Sequence, residues 1–329
     1  MTHSDADILI VIPCLNEERH IGALLGWVDP VAEKVGARIL VVDGGSDDRS
    51  KQIVEDFMRG SERVALMDNP ARIQSAGINL AVVRHGMNSR YMLRLDAHGK
   101  YPVDFCEKLL AEAEEKGADS VVVSMYTEGM ERIQRANAAI QNSKLGTGGS
   151  KHRHGSGGEW VDHGHHALFR TRAFLAAGGY DENFSHNEDA ELDHRLKLNG
   201  FRIWLSGRTH MIYYPRETFG GLFKQYMAYG RGRAKNLLKH RTLPSIRQLA
   251  PLLVCPALLL ALGSAIYWVA AIPAVAWLGV CFLFGFWLAI SERKPDLVLS
   301  AVSAIVMHFA WSLGFWRQLF ASQSARPSA

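Results

Sequence analysis

The sequence predicts an α/β domain built on a mostly parallel sheet, followed by a region that crosses a membrane. In the first part, short apolar or β-branched runs alternate with stretches whose apolar residues recur every three or four positions. The runs are typical of strands buried on both faces, and the stretches are typical of amphipathic helices. Farther on, the 42 residues from Leu249 to Ile290 contain no Asp, Glu, Lys, Arg or His. A transmembrane helix needs about 20 apolar residues, so this run has room for two.

The α/β pattern can be assigned element by element. The predicted strands are residues 8–12, 38–42, 64–67, 91–95 and 120–125. The predicted helices between them are residues 17–28, 50–58, 73–85 and 103–116. Strands and helices that alternate in this way form a parallel sheet with right-handed crossovers. Ligands of such sheets bind beyond the carboxyl ends of the strands, and polar turns follow three of the predicted strands, at residues 13–17, 43–47 and 96–98.

Composition excludes several classes of protein. The formal charge of +4 is modest, and no basic block with interleaved aromatic residues indicates a nucleic-acid partner. The four cysteines show no CxxC spacing, which argues against a disulfide framework or a zinc site. No Gly-x-Gly-x-x-Gly follows the first strand, as a nucleotide-dependent dehydrogenase would require. The N-terminus enters a strand directly, so we expect no cleavable signal peptide.

The apolar region predicts two to three membrane helices. The uncharged run would turn near residues 270–273, and a second apolar run to Trp316 has room for one more helix. Arg317 and Arg326 argue against a full third crossing. A buried helical hairpin in a soluble protein is the alternative. Cations cluster before the first helix, at Arg231, Arg233, Lys235, Lys239, Arg241 and Arg247.

This distribution of charge predicts the topology and the domains. Lys and Arg are enriched on the cytoplasmic side of membrane helices, so the first part of the chain should face the cytoplasm from the inner membrane. We expect a catalytic domain at residues 1–217 and an amphipathic interfacial segment at 218–247. The membrane region would be residues 248–320, with a tail at 321–329.

Six short motifs follow one another along the chain. They are Pro13-Cys14-Leu15-Asn16-Glu17, Asp43-Gly44-Gly45-Ser46-Asp47, Asn69-Pro70-Ala71-Arg72 with Asn79, Leu95-Asp96-Ala97-His98, Gly178-Gly179-Tyr180-Asp181 and Glu188-Asp189. In this order and spacing, residues 7–235 resemble the family 2 glycosyltransferases with the GT-A fold. The run 94–98, followed by Tyr101-Pro102, resembles in particular the glucosyltransferases of succinoglycan-type exopolysaccharide synthesis. The resemblance implies inverting transfer of a sugar from a nucleotide-sugar donor.

The resemblance also implies a site for the nucleotide sugar. The residues that it assigns to this site are Pro13, Asn16, Glu17, Asp43, Arg72, Asn79 and Asp96. Asp43 would bind the nucleoside. As an alternative, Asp43 only shapes a turn before a helix, as Asp and Gly often do.

A divalent cation is expected to neutralise the diphosphate leaving group. Members of the family usually carry Asp-x-Asp, whereas this chain has Asp96-Ala97-His98. We expect Asp96, His98 and His210 to bind Mn²⁺ or Mg²⁺, and the imidazoles favour Mn²⁺. The alternatives are a structural role for His98 and packing of His210 beside Tyr213 and Tyr214.

Asp189 matches the catalytic base of the family, which removes the proton of the acceptor hydroxyl. Acidic residues are also favoured in the first turn of a helix, which is the alternative explanation. Candidates for contact with the acceptor or the diphosphate are Asp162, His163, Glu188, Gln225 and Arg231. A cluster of histidines lacks the spacing of a zinc site; its members are His152, His154, His163, His165 and His166.

The combined expectation is a hexosyltransferase that moves glucose from UDP-glucose to a lipid-linked saccharide in exopolysaccharide synthesis. The apolar tail favours a lipid-linked acceptor, because a soluble acceptor would not require a membrane anchor. One alternative is a processive polysaccharide synthase, although the Gln-x-x-Arg-Trp signature of such enzymes is absent near Gln225. The other is a non-catalytic, membrane-bound subunit with a transferase-like fold.

Overall fold

A computed structural model describes residues 7–149 and 158–324. It contains one sheet of eight strands in the order β3-β2-β1-β4-β7-β5-β8-β6. The strands are β1 (Ile8–Cys14), β2 (Ala37–Asp43), β3 (Val64–Asp68), β4 (Tyr91–Arg94), β5 (Ser120–Thr127), β6 (Glu159–Val161), β7 (His165–Arg170) and β8 (Ile203–Tyr213). Strands β1 to β4 pair in parallel, as predicted, whereas β7 pairs antiparallel with both β4 and β5.

Helices cover both faces of this sheet. They are α1 (Ile21–Val35), α2 (Ser50–Met58), α3 (Gln74–Ala81), α4 (Phe105–Lys116), α7 (Thr171–Ala176) and α8 (Glu188–Leu198). Along β1, Ile8, Ile10 and Ile12 belong to one buried cluster with residues of α1 and α4, and Leu9 and Val11 belong to a second with residues of α3 and α8. This alternation is expected of a strand buried on both faces.

The first helix begins and ends later than predicted. Residues 17–20 are not helical, because the backbone N–H groups of Glu17 and Glu18 donate to Ser50 Oγ and Asp48 Oδ2 in the next turn of the chain. The helix then continues through Pro30 and ends at Gly36, whose φ of 68° suits a residue without a side chain. The late start leaves the turn after β1 free to line the sheet edge.

The described residues divide into two compact units, residues 7–126 with 158–213 and residues 127–149 with 214–324. The second unit is helical. Its helices are α5 (Arg132–Gln141), α6 (Lys144–Thr147), α9 (Phe219–His240), α10 (Ile246–Leu252), α11 (Val254–Ala261), α12 (Ile272–Ser291) and α13 (Ser300–Ser324). In this unit, Gln134 Nε2 and Asn137 Nδ2 on α5 donate to the carbonyl oxygens of Pro215 and Arg216.

Three helical segments are long and apolar enough to cross a membrane, namely Ile246–Ala265, Trp268–Ser291 and Pro295–Ser322. The helical conformation is interrupted between the first two segments at residues 266–267, slightly before the predicted turn at 270–273. Leu262, Ile266 and Trp268 are largely exposed around this break. Exposed apolar side chains at this density are typical of a surface that contacts a membrane or another protein.

The third segment is packed differently from the first two, because more than half of it is buried inside the second unit. Gly230 on α9 and Gly314 on α13 make this packing possible. A Cβ atom on Gly230 would lie 2.0 Å from the carbonyl oxygen of Trp311, and one on Gly314 would lie 2.1 Å from that of Met227. Small residues at such crossings allow two helix backbones to approach closely.

We expect the protein to remain in the membrane fraction through washes with high salt and with alkaline carbonate. Burial of the segments Ile246–Ala265 and Trp268–Ser291 in hydrocarbon does not depend on ionic contacts, which salt would screen. The measurement is an immunoblot of pellet and supernatant after each wash. Release by salt alone would contradict membrane insertion and would reduce these segments to a peripheral contact.

Candidate active site

The turns that follow β1, β2 and β4 meet at the carboxyl edge of the sheet, as predicted. The backbone N–H of Asn16 donates to Ser46 Oγ at 2.9 Å, and Asn16 Oδ1 accepts from the N–H of Asp47 at 3.0 Å. Glu17 Oε1 lies 2.8 Å from His98 Nδ1. Pro13 is the last residue but one of β1, next to these contacts in the chain. Three segments distant in sequence therefore form one polar rim.

Asp43 shapes the turn that follows β2. Its carboxylate accepts hydrogen bonds from the N–H groups of Gly45 and Ser46 and from Ser46 Oγ, and the side chain is buried. Arg72 braces the same turn, because its guanidinium donates to the carbonyl oxygens of Gly44 and Gly45 at 3.1 and 3.0 Å. The side chain of Asp43 thus shapes this turn, and nucleoside binding by Asp43 stays a prediction.

Asn79 supports the loop that precedes α8. Its Nδ2 donates to the carbonyl oxygen of Tyr180 and to Glu182 Oε1, and its Oδ1 accepts from the N–H of Tyr180. Gly179 leaves room for this contact, because a Cβ atom there would lie 2.5 Å from Asn79 Oδ1. Asn79 thereby holds the loop before α8, and its place in the nucleotide-sugar site stays a prediction.

Arg94 joins two carboxylates at the centre of the site. Its Nε lies 3.2 Å from Asp96 Oδ1, and its Nη1 lies 2.9 Å from Asp189 Oδ1. The hydroxyl of Tyr180 also donates to Asp189 Oδ1, at 3.0 Å. Gln74 Nε2 donates to Asp96 Oδ1 at 3.3 Å. Asp96 at the end of β4 and Asp189 on α8 are thereby held in one site.

His165 faces the same two carboxylates through their other oxygens. Its Nε2 lies 3.4 Å from Asp96 Oδ2, and its Nδ1 lies 3.6 Å from Asp189 Oδ2. The ring comes from the first residue of β7, the antiparallel strand beside β4. In both Asp96 and Asp189, Arg94 therefore contacts Oδ1 and His165 faces Oδ2.

Burial and neighbouring charges shift the pKa values of two acids in this site, in opposite directions. Burial alone would raise the pKa of Asp96, but Arg94 and His165 outweigh it and hold that pKa well below its usual range. For Glu188, burial followed by the charge of Asp189 raises the pKa to about 7. The raised pKa of Glu188 therefore reflects first the loss of water around its carboxylate and second the charge of Asp189.

Glu188→Gln is expected to flatten the pH dependence of stability. The pKa of Glu188 is higher in the folded state than in the unfolded state. The contribution of this side chain to the free energy of unfolding is therefore present at low pH and is lost as pH rises toward about 7. A shift of this size limits the effect to about 3 kcal/mol. The measurement is the unfolding temperature of both proteins between pH 5 and pH 8. As pH rises, the unfolding temperature of the variant should increase relative to that of the wild type. The unfolding temperature of the exposed control Glu55→Gln should change with pH as that of the wild type does.

The predicted metal ligands are not assembled into a three-residue group. Across residues 7–149 and 158–324, no group of three or more His, Cys, Asp or Glu side chains is placed to hold a metal ion. His210 lies in β8 and packs edge-on against Tyr126, with ring centroids 4.8 Å apart. The types of side chain present nevertheless suit a divalent cation. Asp96, Glu188 and Asp189 bring several carboxylates, whose oxygen atoms such cations prefer as ligands, around the buried guanidinium of Arg94. His98 Nδ1 instead lies 2.8 Å from Glu17 Oε1, and metal binding by Asp96 and His98 stays a prediction.

The acceptor candidates lie in different parts of the chain. Asp162 is exposed and pairs with Lys197 at 2.6 Å, whereas His163 Nδ1 lies 2.6 Å from the buried Asp193. Gln225 and Arg231 lie on α9 in the second unit. From the histidine cluster, His152 and His154 lie outside the described residues.

Sequence reasoning missed Arg94, His165 and Tyr180 as parts of the centre. Arg94 carries a usable signal, since a charged residue inside an apolar strand two positions before Asp96 must find a buried partner. His165 and Tyr180 carry no comparable signal. Their positions depend on the antiparallel pairing of β7 and on the loop held by Asn79.

Comparison with known proteins places this site in a family. Residues 9–176 match the family model described as Glycosyl transferase family 2. Over 311 residues the chain is 53% identical to the succinoglycan biosynthesis protein ExoA of Rhizobium meliloti (strain 1021), with 94% of each chain covered. The chain belongs to glycosyltransferase family 2. The family predicted from the six motifs is therefore confirmed.

More distant relatives agree with this family 2 fold. The mannosyltransferase PcManGT from Pyrobaculum calidifontis, solved in complex with GDP-Man and Mn²⁺, aligns with a TM-score of 0.63 at 15% identity, covering 96% of this chain and 89% of its own. A glucuronosyltransferase of Methanococcus voltae that acts on a dolichyl N-acetylglucosaminyl phosphate is 22% identical, covering 96% of this chain and 98% of its own. The likeness to PcManGT supports the predicted GT-A fold.

Proposed function

We propose that this family 2 glycosyltransferase moves a hexose, glucose from UDP-glucose, to a lipid-linked saccharide during exopolysaccharide synthesis. The observation that carries the proposal is the pair Asp96 and Asp189, held together by Arg94 at the carboxyl edge of a GT-A sheet. The 53% identity to a succinoglycan biosynthesis protein supports the role in exopolysaccharide synthesis. In this proposal, Asp96 lies on the side that binds the donor and Asp189 on the side that binds the acceptor.

The donor would bind along the rim formed by the turns after β1, β2 and β4. Pro13, Asn16 and Glu17 line one side, and the turn shaped by Asp43 and braced by Arg72 lines the other. Asp96 and His98 would hold a divalent cation, which would neutralise the charge that develops on the leaving diphosphate. The rim would thus present the anomeric carbon to Asp189, beside the link that Arg94 makes between Asp96 and Asp189.

Transfer would proceed as one displacement at the anomeric carbon. The acceptor hydroxyl forms the new C–O bond as the bond to the diphosphate oxygen breaks, and its proton passes to Asp189. Arg94 and Tyr180 hold Asp189 Oδ1, and His165 faces Oδ2, so the carboxylate is held in position to take that proton. A single displacement inverts the anomeric centre, so an α-linked donor yields a β-glycoside.

The membrane segments support a lipid-linked acceptor and a place at the inner membrane. We propose a catalytic domain at residues 1–217 on the cytoplasmic side, an interfacial segment at 218–247, a membrane region at 248–320 and a tail at 321–329. The cations of α9 precede the first apolar segment, and Arg293 and Lys294 lie between the second and the third. This distribution agrees with a cytoplasmic location for both positions.

A screen of donors tests the proposed function. Purified protein in detergent would be incubated with a panel of UDP-, GDP- and TDP-linked sugars, a lipid-linked saccharide acceptor and either Mn²⁺ or Mg²⁺. We expect UDP-glucose to give the fastest transfer, one sugar per acceptor. Successive additions would favour the processive synthase. Absence of transfer and hydrolysis with every donor would favour the non-catalytic subunit.

His98→Ala is expected to weaken activity and donor binding together, because the diphosphate would be held through the cation. His210→Ala should weaken both as well, and unchanged turnover and UDP affinity in this variant would limit His210 to its packing against Tyr126. An imidazole binds a metal in its neutral form, so wild-type activity should also fall as pH drops toward about 6. The measurements are turnover and UDP affinity against Mn²⁺ concentration. Unchanged Mn²⁺ dependence in His98→Ala would remove His98 from the site.

A further inference from the structure

The buried face of α8 carries two carboxylates that each face an imidazole from the segment 163–165. His163 Nδ1 lies 2.6 Å from Asp193 Oδ2, and His165 Nδ1 lies 3.6 Å from Asp189 Oδ2. Four residues of a helix advance by about 6 Å, and two residues of extended chain advance by a similar distance of about 6.6 Å. The two histidines are therefore spaced to meet successive turns of α8.

His165 also reaches across to the donor side of the site. Its Nε2 lies 3.4 Å from Asp96 Oδ2, so one imidazole stands between Asp96 and Asp189. Arg94 makes the equivalent link through the Oδ1 atoms of both acids. The two acids are thus connected twice, on opposite sides of their carboxylate groups.

Gly164 holds this segment against the sheet. A Cβ atom at this position would lie 2.3 Å from Val122 Cγ2 on β5, a distance that real contacts do not reach. The N–H of Gly164 points to Asp193 Oδ2 at 3.4 Å, and Asp193 is buried. The segment is therefore fixed between β5 and α8, as a support for a precise site should be.

We propose that His163, Gly164 and His165 form a clamp that positions α8, and that His165 is the positioning residue that sets Asp189 relative to Asp96. The inference rests on the proposed function, in which Asp189 takes the acceptor proton. Removing the outer partner of a metal-binding side chain, as Asp96 is proposed to be, typically costs about 10- to 100-fold in metal affinity or activity. A change at His165 should alter both donor binding and turnover. A change at His163 should alter turnover only, through the position of α8.

Kinetics on three variants test this division of roles. His165→Phe keeps a planar ring without nitrogen atoms, and we expect kcat to fall by about 10- to 100-fold and UDP affinity to fall with it. His165→Gln restores a hydrogen-bond donor and should recover part of both. His163→Phe should lower kcat and leave UDP affinity unchanged. The exposed His85→Phe serves as the control and should match the wild type.

A double-mutant cycle on stability tests the clamp without relying on turnover. Residues in contact give non-additive effects, so His165→Phe should lower the unfolding temperature less in Asp189→Asn than in the wild type. Additive shifts, together with wild-type kcat in His165→Phe, would overturn the proposal. If the wild type transfers no sugar from any donor, the proposed function fails, while non-additive shifts would still support the contact between His165 and Asp189.

Discussion

Asp189→Asn is expected to reduce transfer by about a hundredfold or more, with donor affinity little changed. The amide keeps the volume of the carboxylate, and its oxygen can still accept from Arg94 and Tyr180, so the centre should stay assembled. What the amide loses is the ability to take the acceptor proton. The measurement is kcat and KM for the donor, with UDP affinity determined separately.

Asp56→Asn is the matched control for Asp189→Asn. Asp56 also pairs with an arginine at 2.9 Å, through Arg59 Nη1, but this pair lies exposed on α2. The control should therefore lose no measurable activity, because exposed ion pairs contribute little. Near-normal turnover in Asp189→Asn would remove this residue as the base.

Arg94→Met is expected to destabilise the catalytic unit and to abolish transfer. Arg94 is buried between Asp96 and Asp189, and removing one partner of a buried ion pair typically costs about 3–5 kcal/mol. For a unit of this size, that loss corresponds to a fall of the unfolding temperature by about 10 °C. The measurement is thermal unfolding followed by intrinsic fluorescence, alongside the transfer assay.

Arg63→Met provides the comparison for a surface pair. Arg63 bridges Asp29 and Glu33 at 3.2 and 3.4 Å, in the same manner as Arg94, but it is partly exposed. Its loss should cost at most about 1 kcal/mol. Similar unfolding temperatures for the two variants would contradict the central role assigned to Arg94.

The positions of β1 to β5 follow from the sequence because each is a short apolar or β-branched run, and all but the edge strand β3 are buried on both faces. The rim is predictable for the same reason, since Asn16, Asp43 and Asp96 each follow one of those strands. Membrane segments are visible through the absence of charge. In each case the signal lies within a short stretch of chain.

The remaining features depend on contacts between distant residues. Strand β7 inserts between β4 and β5 in the antiparallel direction, and this pairing alone brings His165 to Asp96. The role of Asn79 in holding the loop before α8 depends on its bonds to Tyr180, which lies 101 residues farther along the chain. Likewise, α5 belongs to the helical unit because Gln134 bonds the carbonyl oxygen of Pro215, which no local pattern indicates.

The anomeric configuration of the product tests most directly whether Asp189 acts by a single displacement. The glycoside formed from UDP-α-glucose and the lipid-linked acceptor would be isolated, and its new anomeric proton would be observed by NMR. One displacement with Asp189 as base predicts a β-linked product. An α-linked product would require either two displacements or attack from the side of the leaving group, and it would contradict this assignment of the site.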